Sequence, residues 1–334
     1  MYKLYSTKFI TGLKMKKFTG KAIGVITSGI GVIIPNLKQL FRSEIGVIIL
    51  LLSLIFTSCE KNVTVEIPQS KNKIVVEGYV ETGKIPFVIL SHTLPFFGSI
   101  NIESVVQNTI QGASVIVNNG TITDTLIQIP GYGIYFCPRI IGEAGKTYSL
   151  RIITNGTVLT ATTSVPNPVP LDSTWFKIDG NRDSLGYLWA HLSDPDTLGN
   201  YYRWFARRIN RYTYGSRIGE RKDSIFVTPR GSVLEDKFVN GKSFDFGYNR
   251  GSIPNSTKDD DNNDERNFFK RGDTIVVKFC AIDRAHFLFW RTEEMQVGNN
   301  GNPFGSPAPI ISNIDGGLGI WGGYASTFDT VIAR

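Results

Sequence analysis

The chain has 334 residues, of which 19% are charged and 12% aromatic, with three cysteines and three histidines. Its formal charge of +7 sits in residues 1–58, which hold eight bases against the single acid Glu44; the remainder carries 28 residues of each sign. A neutral body removes the composition argument for a nucleic-acid partner, and none of the common Cys/His zinc spacings occurs.

The first informative stretch is the apolar run Ile45 to Phe56, followed by Thr57-Ser58-Cys59. It is too short for the roughly 20 residues a spanning helix needs, and it suits the apolar region of a secretory signal, about 7–15 residues long. Lys38 and Arg42 precede it, and small residues stand before the thiol. This order predicts acylation of Cys59 (a palmitate-type lipid anchor) and removal of residues 1–58 as a lipoprotein signal peptide. An earlier apolar stretch, Ala22 to Ile34, offers the rival reading of a transmembrane anchor. Pro35, Lys38, Arg42 and Glu44 keep the two runs from fusing into one span. Met15 supplies an alternative start, with residues 1–14 as an extension. Residues 59–72 are polar and read as a tether between lipid and body.

From residue 73 onward the pattern is β. Strands are expected at Ile74 to Val80 and Phe87 to Leu90. A hairpin is expected from Ala113–Val117 to Thr121–Ile129 across Asn118-Asn119-Gly120, with a further strand at Tyr132 to Cys137. A second hairpin joins Thr147–Ile153 to Val158–Val165 across Thr154-Asn155-Gly156. The longest loop, Ser91 to Ile110, carries Leu94, Phe96 and Phe97, an apolar group that either tucks under the sheet or contacts a partner. Val165-Pro166-Asn167-Pro168-Val169-Pro170 is a stiff extended segment, and the domain boundary is placed at 166–172.

Beyond it, strands are expected at Thr174–Ile178, Leu185–Leu192, Tyr201–Asn210, Ser224–Thr228 and Thr274–Ile282. Asp283 is positioned to cap a helix from Arg284 to Val297. A Gly/Asn/Pro-rich loop with Phe304 follows, then strands at Leu318–Ala325 and Phe328–Ile332. The expected fold is all-β: two β-sandwich domains in tandem, 73–165 and 173–334, the second with one helix near its C-terminus.

Several motifs fail on context. Gly317, Gly319 and Gly322 match GxGxxG, but strand-like sequence follows where a dinucleotide site needs a helix; close packing explains the glycines better. The acidic loop containing Asp259 and Asp261 lacks the Gly and Glu positions of an EF-hand, so no calcium is assigned there. Arg203, Arg207 and Arg211 alternate with Trp204 and Ala206, which predicts a half-buried strand with a charged outer face. Arg271-Gly272-Asp273 reads as a turn before a strand. His92, His191 and His286 lie in separate segments, and there is no HExxH or GxSxG motif, so no catalytic residue, metal or cofactor is assigned. Cys137 and Cys280 are open to a disulfide in an exported protein, but the bridge would cross the linker, which favours two buried free thiols.

Asp followed by Ser or Thr and then Thr or an aliphatic residue occurs seven times. Its hydroxyls are Thr125, Ser173, Ser184, Thr197, Ser224, Thr274 and Thr330. Turn chemistry explains an Asp that closes a turn ahead of a strand. The pattern also resembles an O-glycosylation signal of exported Gram-negative proteins, which makes these hydroxyls candidate attachment sites.

The lipobox, then IVVEGYV, GASVIV, GYGIY, GKTYSL, SDPDTLGNYYRW, GNPFGSP and SNIDGGLGIWGGY, together resemble the domain-of-unknown-function 4249 family of lipoproteins, over nearly the whole of the chain after residue 58. NIDGGLGIWGGY is the most specific segment. The resemblance implies a lipid-anchored outer-membrane protein on the cell-surface face. It also implies partnership with a SusC-type TonB-dependent transporter, and a first domain similar to an immunoglobulin-like or carboxypeptidase-regulatory-like sandwich. The family brings no established binding residues. The expectation is therefore a non-enzymatic binding or lid subunit for nutrient uptake, with Leu94, Phe96, Phe97 and Phe304 as candidate contacts. The rival expectation is a structural or adhesive surface module acting without a transporter.

Overall fold

The structure is a computed structural model that describes residues 72–94, 102–209, 223, 225–251, 267–299 and 309–334. Cys59, Phe96, Phe97, Phe304, Ser224, Asp259 and Asp261 lie outside the described residues.

In chain order the elements are β1 (Ile74–Glu81), β2 (Phe87–His92), α1 (Ile102–Gln107), β3 (Ser114–Asn118), β4 (Thr123–Thr125), β5 (Ile127–Gln128), β6 (Ile134–Phe136), β7 (Thr147–Thr154) and β8 (Thr157–Ser164). After the proline segment come β9 (Ser173–Ile178), β10 (Leu185–Ser193), β11 (Tyr201–Arg208), β12 (Val233–Glu235), a short 3₁₀ turn (Asp236–Phe238), β13 (Ser243–Tyr248), β14 (Phe269–Lys270), β15 (Thr274–Ile282), α2 (Arg284–Asn299) and β16 (Leu318–Ile332). The all-β class holds, with one helix of 16 residues near the C-terminus.

Local chemistry sets the hairpins. Asn155 and Gly156 both adopt positive φ (47° and 74°), the geometry a two-residue turn needs to close β7 on β8. The Asn119 side chain accepts hydrogen bonds from the amides of Thr121 and Ile122 and so shapes the turn between β3 and β4. Asp283 caps α2: one carboxylate oxygen accepts from the His286 amide at 2.8 Å. Its other oxygen accepts from Thr163 Oγ1 at 2.6 Å and the Ser164 amide at 3.0 Å, which pins the helix start to the end of β8.

The strands form three sheets: an eight-stranded sheet ordered β12-β11-β15-β16-β1-β2-β6-β5, and two four-stranded sheets, β4-β3-β7-β8 and β9/β10/β13/β14. The long sheet is organised around β16. Its first half pairs in parallel with β1, from Val75↔Leu318 to Glu81↔Tyr324. Its second half pairs antiparallel with β15, from Ala281↔Ala325 to Thr274↔Ile332. The two closing strands expected from the sequence are thus one continuous strand of 15 residues. Among the described residues of the strand expected at Ser224–Thr228, pairing is limited to an isolated bridge, Ala206↔Val227.

This sheet corrects the expected division at 166–172. Strands from both sides of the proline segment share it, and Ser70–Arg334 is one compact unit. The proline segment joins the two small sheets, which pack side by side on one face of the long sheet. Val165 is fully buried there, and Val169 and Leu171 pack against the same core. That face carries Val76, Val88, Trp204, Phe279 and Trp321. Trp321 donates its indole N–H to the Tyr148 carbonyl at 3.0 Å, linking β16 to β7. Trp204 and Phe279 meet Phe246 of β13, at ring separations of 5.9 and 6.0 Å.

The opposite face carries the side chains of the alternate positions and is covered by α2. Gly322 is required there: a Cβ would lie 2.5 Å from the His286 ring, which rests against the strand. Gly319, at φ 111°, would bring a Cβ to 1.9 Å from the Val76 carbonyl. The GxGxxG spelling therefore reflects close packing of β16.

Candidate functional site

Alternation along β11 splits the strand. Tyr202, Trp204 and Ala206 point into the core, while Arg203, Phe205 and Arg207 point toward the helix. The sequence anticipated this alternation. It did not anticipate that the arginine face would be covered: Arg203 is only 5% exposed. On the same side stand Glu77, Tyr79 and Glu81 of β1, Lys278 of β15 and Tyr324 of β16. Together with Phe226, Trp290 and Glu293 they line a cavity of about 520 Å³ between sheet and helix.

Arg203 is the centre of this site. Its guanidinium lies 3.5 Å from the Trp290 ring centroid and 4.8 Å from that of Phe205, stacked between the two. Nη1 donates to the Tyr324 hydroxyl at 2.6 Å. Nε has no acceptor, and Arg203 forms no ion pair among the described residues. The Trp290 indole N–H, also in the cavity wall, has no acceptor either. Burying a charge without a counter-ion costs several kcal/mol, and stacking on aromatic rings offsets only about 0.5–2 kcal/mol per contact. A cation kept under such conditions is a mark of function.

The second cation is already matched. Lys278, 7% exposed, pairs with Glu81 at 2.8 Å, and Lys84 pairs with the same carboxylate at 2.8 Å. Burial pushes the Glu81 carboxyl up, but the two lysines outweigh it and hold the group below its usual range. Glu294 is also engaged. It accepts from the amides of Gly231 and Ser232 and from the Ser232 hydroxyl, clamping that loop to α2. Glu293 is different: burial, then the neighbouring charge of Glu294, raises its pKa, against the opposing pull of the Arg203 charge. Glu77 stands exposed at the rim and accepts from the Tyr79 hydroxyl at 3.1 Å. Burial raises the Tyr79 and Tyr324 phenols, so both stay protonated.

His286 seals the floor beside the cavity. It is fully buried, stacked near Tyr79 and edge-on to Tyr324, with ring nitrogen Nδ1 3.2 Å from the Gly323 carbonyl. Burial, then the charge of Arg203, pushes its pKa down to about 3, so the ring is neutral.

A second cavity, about 610 Å³, lies between Pro166, Val169 and Asp283, but Asp283 is committed to its cap there. His191 and Asp245 meet at 2.6 Å across β10 and β13, with Ser173 next in register on β9. All three side chains stand on the outer face of their sheet, away from the cavities just described. Cys137 and Cys280 are buried free thiols. No group of three or more His, Cys, Asp or Glu side chains suited to a metal ion occurs among the described residues.

Leu94 is half-buried beyond the end of β2. Thr125, Ser173, Thr197 and Thr330 are exposed, while Ser184 and Thr274 are half-buried. The aspartates before them have varied structural roles. Asp273 closes a turn by accepting from the Lys270 amide at 2.9 Å, as the turn reading requires. Asp124 is buried in an ion pair with Arg139, and Asp329 sits within β16 and accepts from Thr174 Oγ1.

Fold and site define an all-β protein with a ligand-sized cavity between its central sheet and a single covering helix. The chain belongs to the family described as Domain of unknown function (DUF4249), whose model matches residues 60–329. A search of the curated proteins returned no match.

Proposed function

We propose that the protein is a non-enzymatic binding or lid subunit, held at the outer-membrane surface by lipid on Cys59 and docked on a TonB-dependent transporter of the SusC type. The observation that carries the binding role is the cavity in which Arg203 is buried, stacked on Trp290 and in no ion pair among the described residues. The anchor rests on the Ile45–Cys59 pattern, and the family match starts at the residue after that cysteine. Confinement to the membrane plane raises the effective concentration of a subunit near a barrel without new contacts. The cavity favours binding over catalysis because its deepest groups are a stacked arginine, a paired lysine and protonated phenols, with the nearest histidine sealed and neutral. The exposed hydroxyls Thr125, Ser173, Thr197 and Thr330 stand as candidate glycosylation sites.

The test is isolation of the native protein in mild detergent. The expected result is a β-barrel protein co-purifying with a chain whose intact mass corresponds to residues 59–334 plus lipid, with sugar added where the hydroxyls are modified. An unacylated chain that retains residues 1–58, or a preparation lacking any barrel protein, contradicts the reading.

A further inference from the structure

The cavity also indicates what it takes. We infer that it binds a small ring-bearing monocarboxylate of the uronic-acid type, with the ligand carboxylate on Arg203. The assignment rests on the cavity being the ligand site of the proposed subunit.

The argument starts from the charges. Of the two buried cations that line the cavity, Lys278 is paired with Glu81, whereas Arg203 makes no ion pair among the described residues and is balanced only at longer range by Glu293. Nη1 is occupied by Tyr324; Nε is buried without a hydrogen-bond partner, and Nη2 makes no hydrogen bond among the described residues. Those two donors share one edge of the guanidinium plane. That edge is the fork that grips a carboxylate through two parallel hydrogen bonds. Contact with the Trp290 and Phe205 rings restricts the guanidinium before the ligand arrives.

The rest of the lining selects what the carboxylate is attached to. Glu77 at the rim and Glu293 in the wall repel a second anionic group and accept hydrogen bonds from hydroxyls. Tyr79, Phe87 and Phe226 add aromatic carbon to the lining, the kind of surface against which the C–H bonds of a sugar ring pack. The volume of about 520 Å³ lies within the range of ~300–1,000 Å³ common to small-molecule sites. A singly charged, hydroxylated ring meets each condition. A dicarboxylate meets Glu77 and Glu293, and a neutral sugar leaves Arg203 unmatched.

The test is isothermal titration of the full-length protein in detergent with D-glucuronate, D-glucose and phenylacetate. Glucuronate is expected to bind saturably, glucose at least about tenfold more weakly, and phenylacetate between them. Arg203→Met is expected to lower glucuronate affinity about tenfold or more, and Arg203→Lys, which keeps the charge but loses the fork, to fall between. Melting curves establish that each variant is folded. Should Arg203→Met fail to fold, Tyr324→Phe and the glucuronate-to-glucose ratio of the unaltered protein decide. Absence of saturable glucuronate binding, equal binding of glucose, or full affinity in a folded Arg203→Met variant overturns the assignment. Barrel co-purification without glucuronate binding removes the ligand assignment alone, and binding without a barrel removes the docking alone.

Discussion

Residues 203 and 204 are neighbours on one strand, yet they serve opposite faces of the central sheet. Trp204 enters a core closed by two further sheets, among Phe246, Tyr248 and Phe279. Arg203 enters a space covered by one helix, among Trp290, Phe205 and Tyr324. The strand geometry is the same on both sides. What differs is the cover: the sheet above Trp204 packs aromatic rings against it, whereas a helix of 16 residues covers a stripe and leaves a cavity beside Arg203. The face under the sheets therefore carries stability, and the face under the helix is free to carry binding.

Substitutions on both faces are expected to cost stability, the largest cost falling under the sheets. Trp321→Ala removes a fully buried indole and its hydrogen bond to Tyr148, and should cost about 3–5 kcal/mol in urea unfolding. On the helix face the large effect comes from acid. The unfolded chain protonates His286 below about 6.5, while the folded chain resists until about 3, so falling pH favours unfolding across that window. His286 alone contributes a drop of roughly 2–3 kcal/mol between pH 6.5 and 4.5, the raised Glu293 carboxyl opposes it in part, and a His286→Phe variant should lose the His286 share of the slope. The depressed carboxylates Glu81 and Asp223 add their loss only below this interval. Gly322→Ala drives a Cβ against the His286 ring and should cost about 1–3 kcal/mol, read from the same unfolding curves. The smallest of these effects is Asp283→Ala, at about 1 kcal/mol, from loss of the helix cap and its bonds to Thr163 and Ser164.

Local features were legible in the sequence because local chemistry causes them. The Asn-Gly turns, the Asp283 cap and the alternation of Arg203 with Trp204 all follow from neighbours along the chain. The parallel pairing of β1 with β16 was not legible, since it joins the two ends of the described body and no turn announces it. It also undid the tandem division: a proline segment reads as a boundary, yet here it bridges two sheets that share a third. Strand β13 carried a signal in Phe244, Phe246 and Tyr248 at alternate positions. Gly247 reads as a breaker there, although it makes room for the Trp189 ring, 2.9 Å from where its Cβ would lie. The cavity was invisible because its lining runs from Glu77 to Tyr324, and the cover that turns an exposed arginine into a buried one comes from a helix far along the chain.

The division between the faces is tested most directly by the unfolding free energy of Arg203→Met beside that of the unaltered protein. The account predicts a change under about 1 kcal/mol in either direction, because lost ring stacking is offset by relief from burying an unmatched charge. A loss of about 3 kcal/mol or more, comparable with Trp321→Ala, would contradict it and make Arg203 a structural support instead of an anion-binding group.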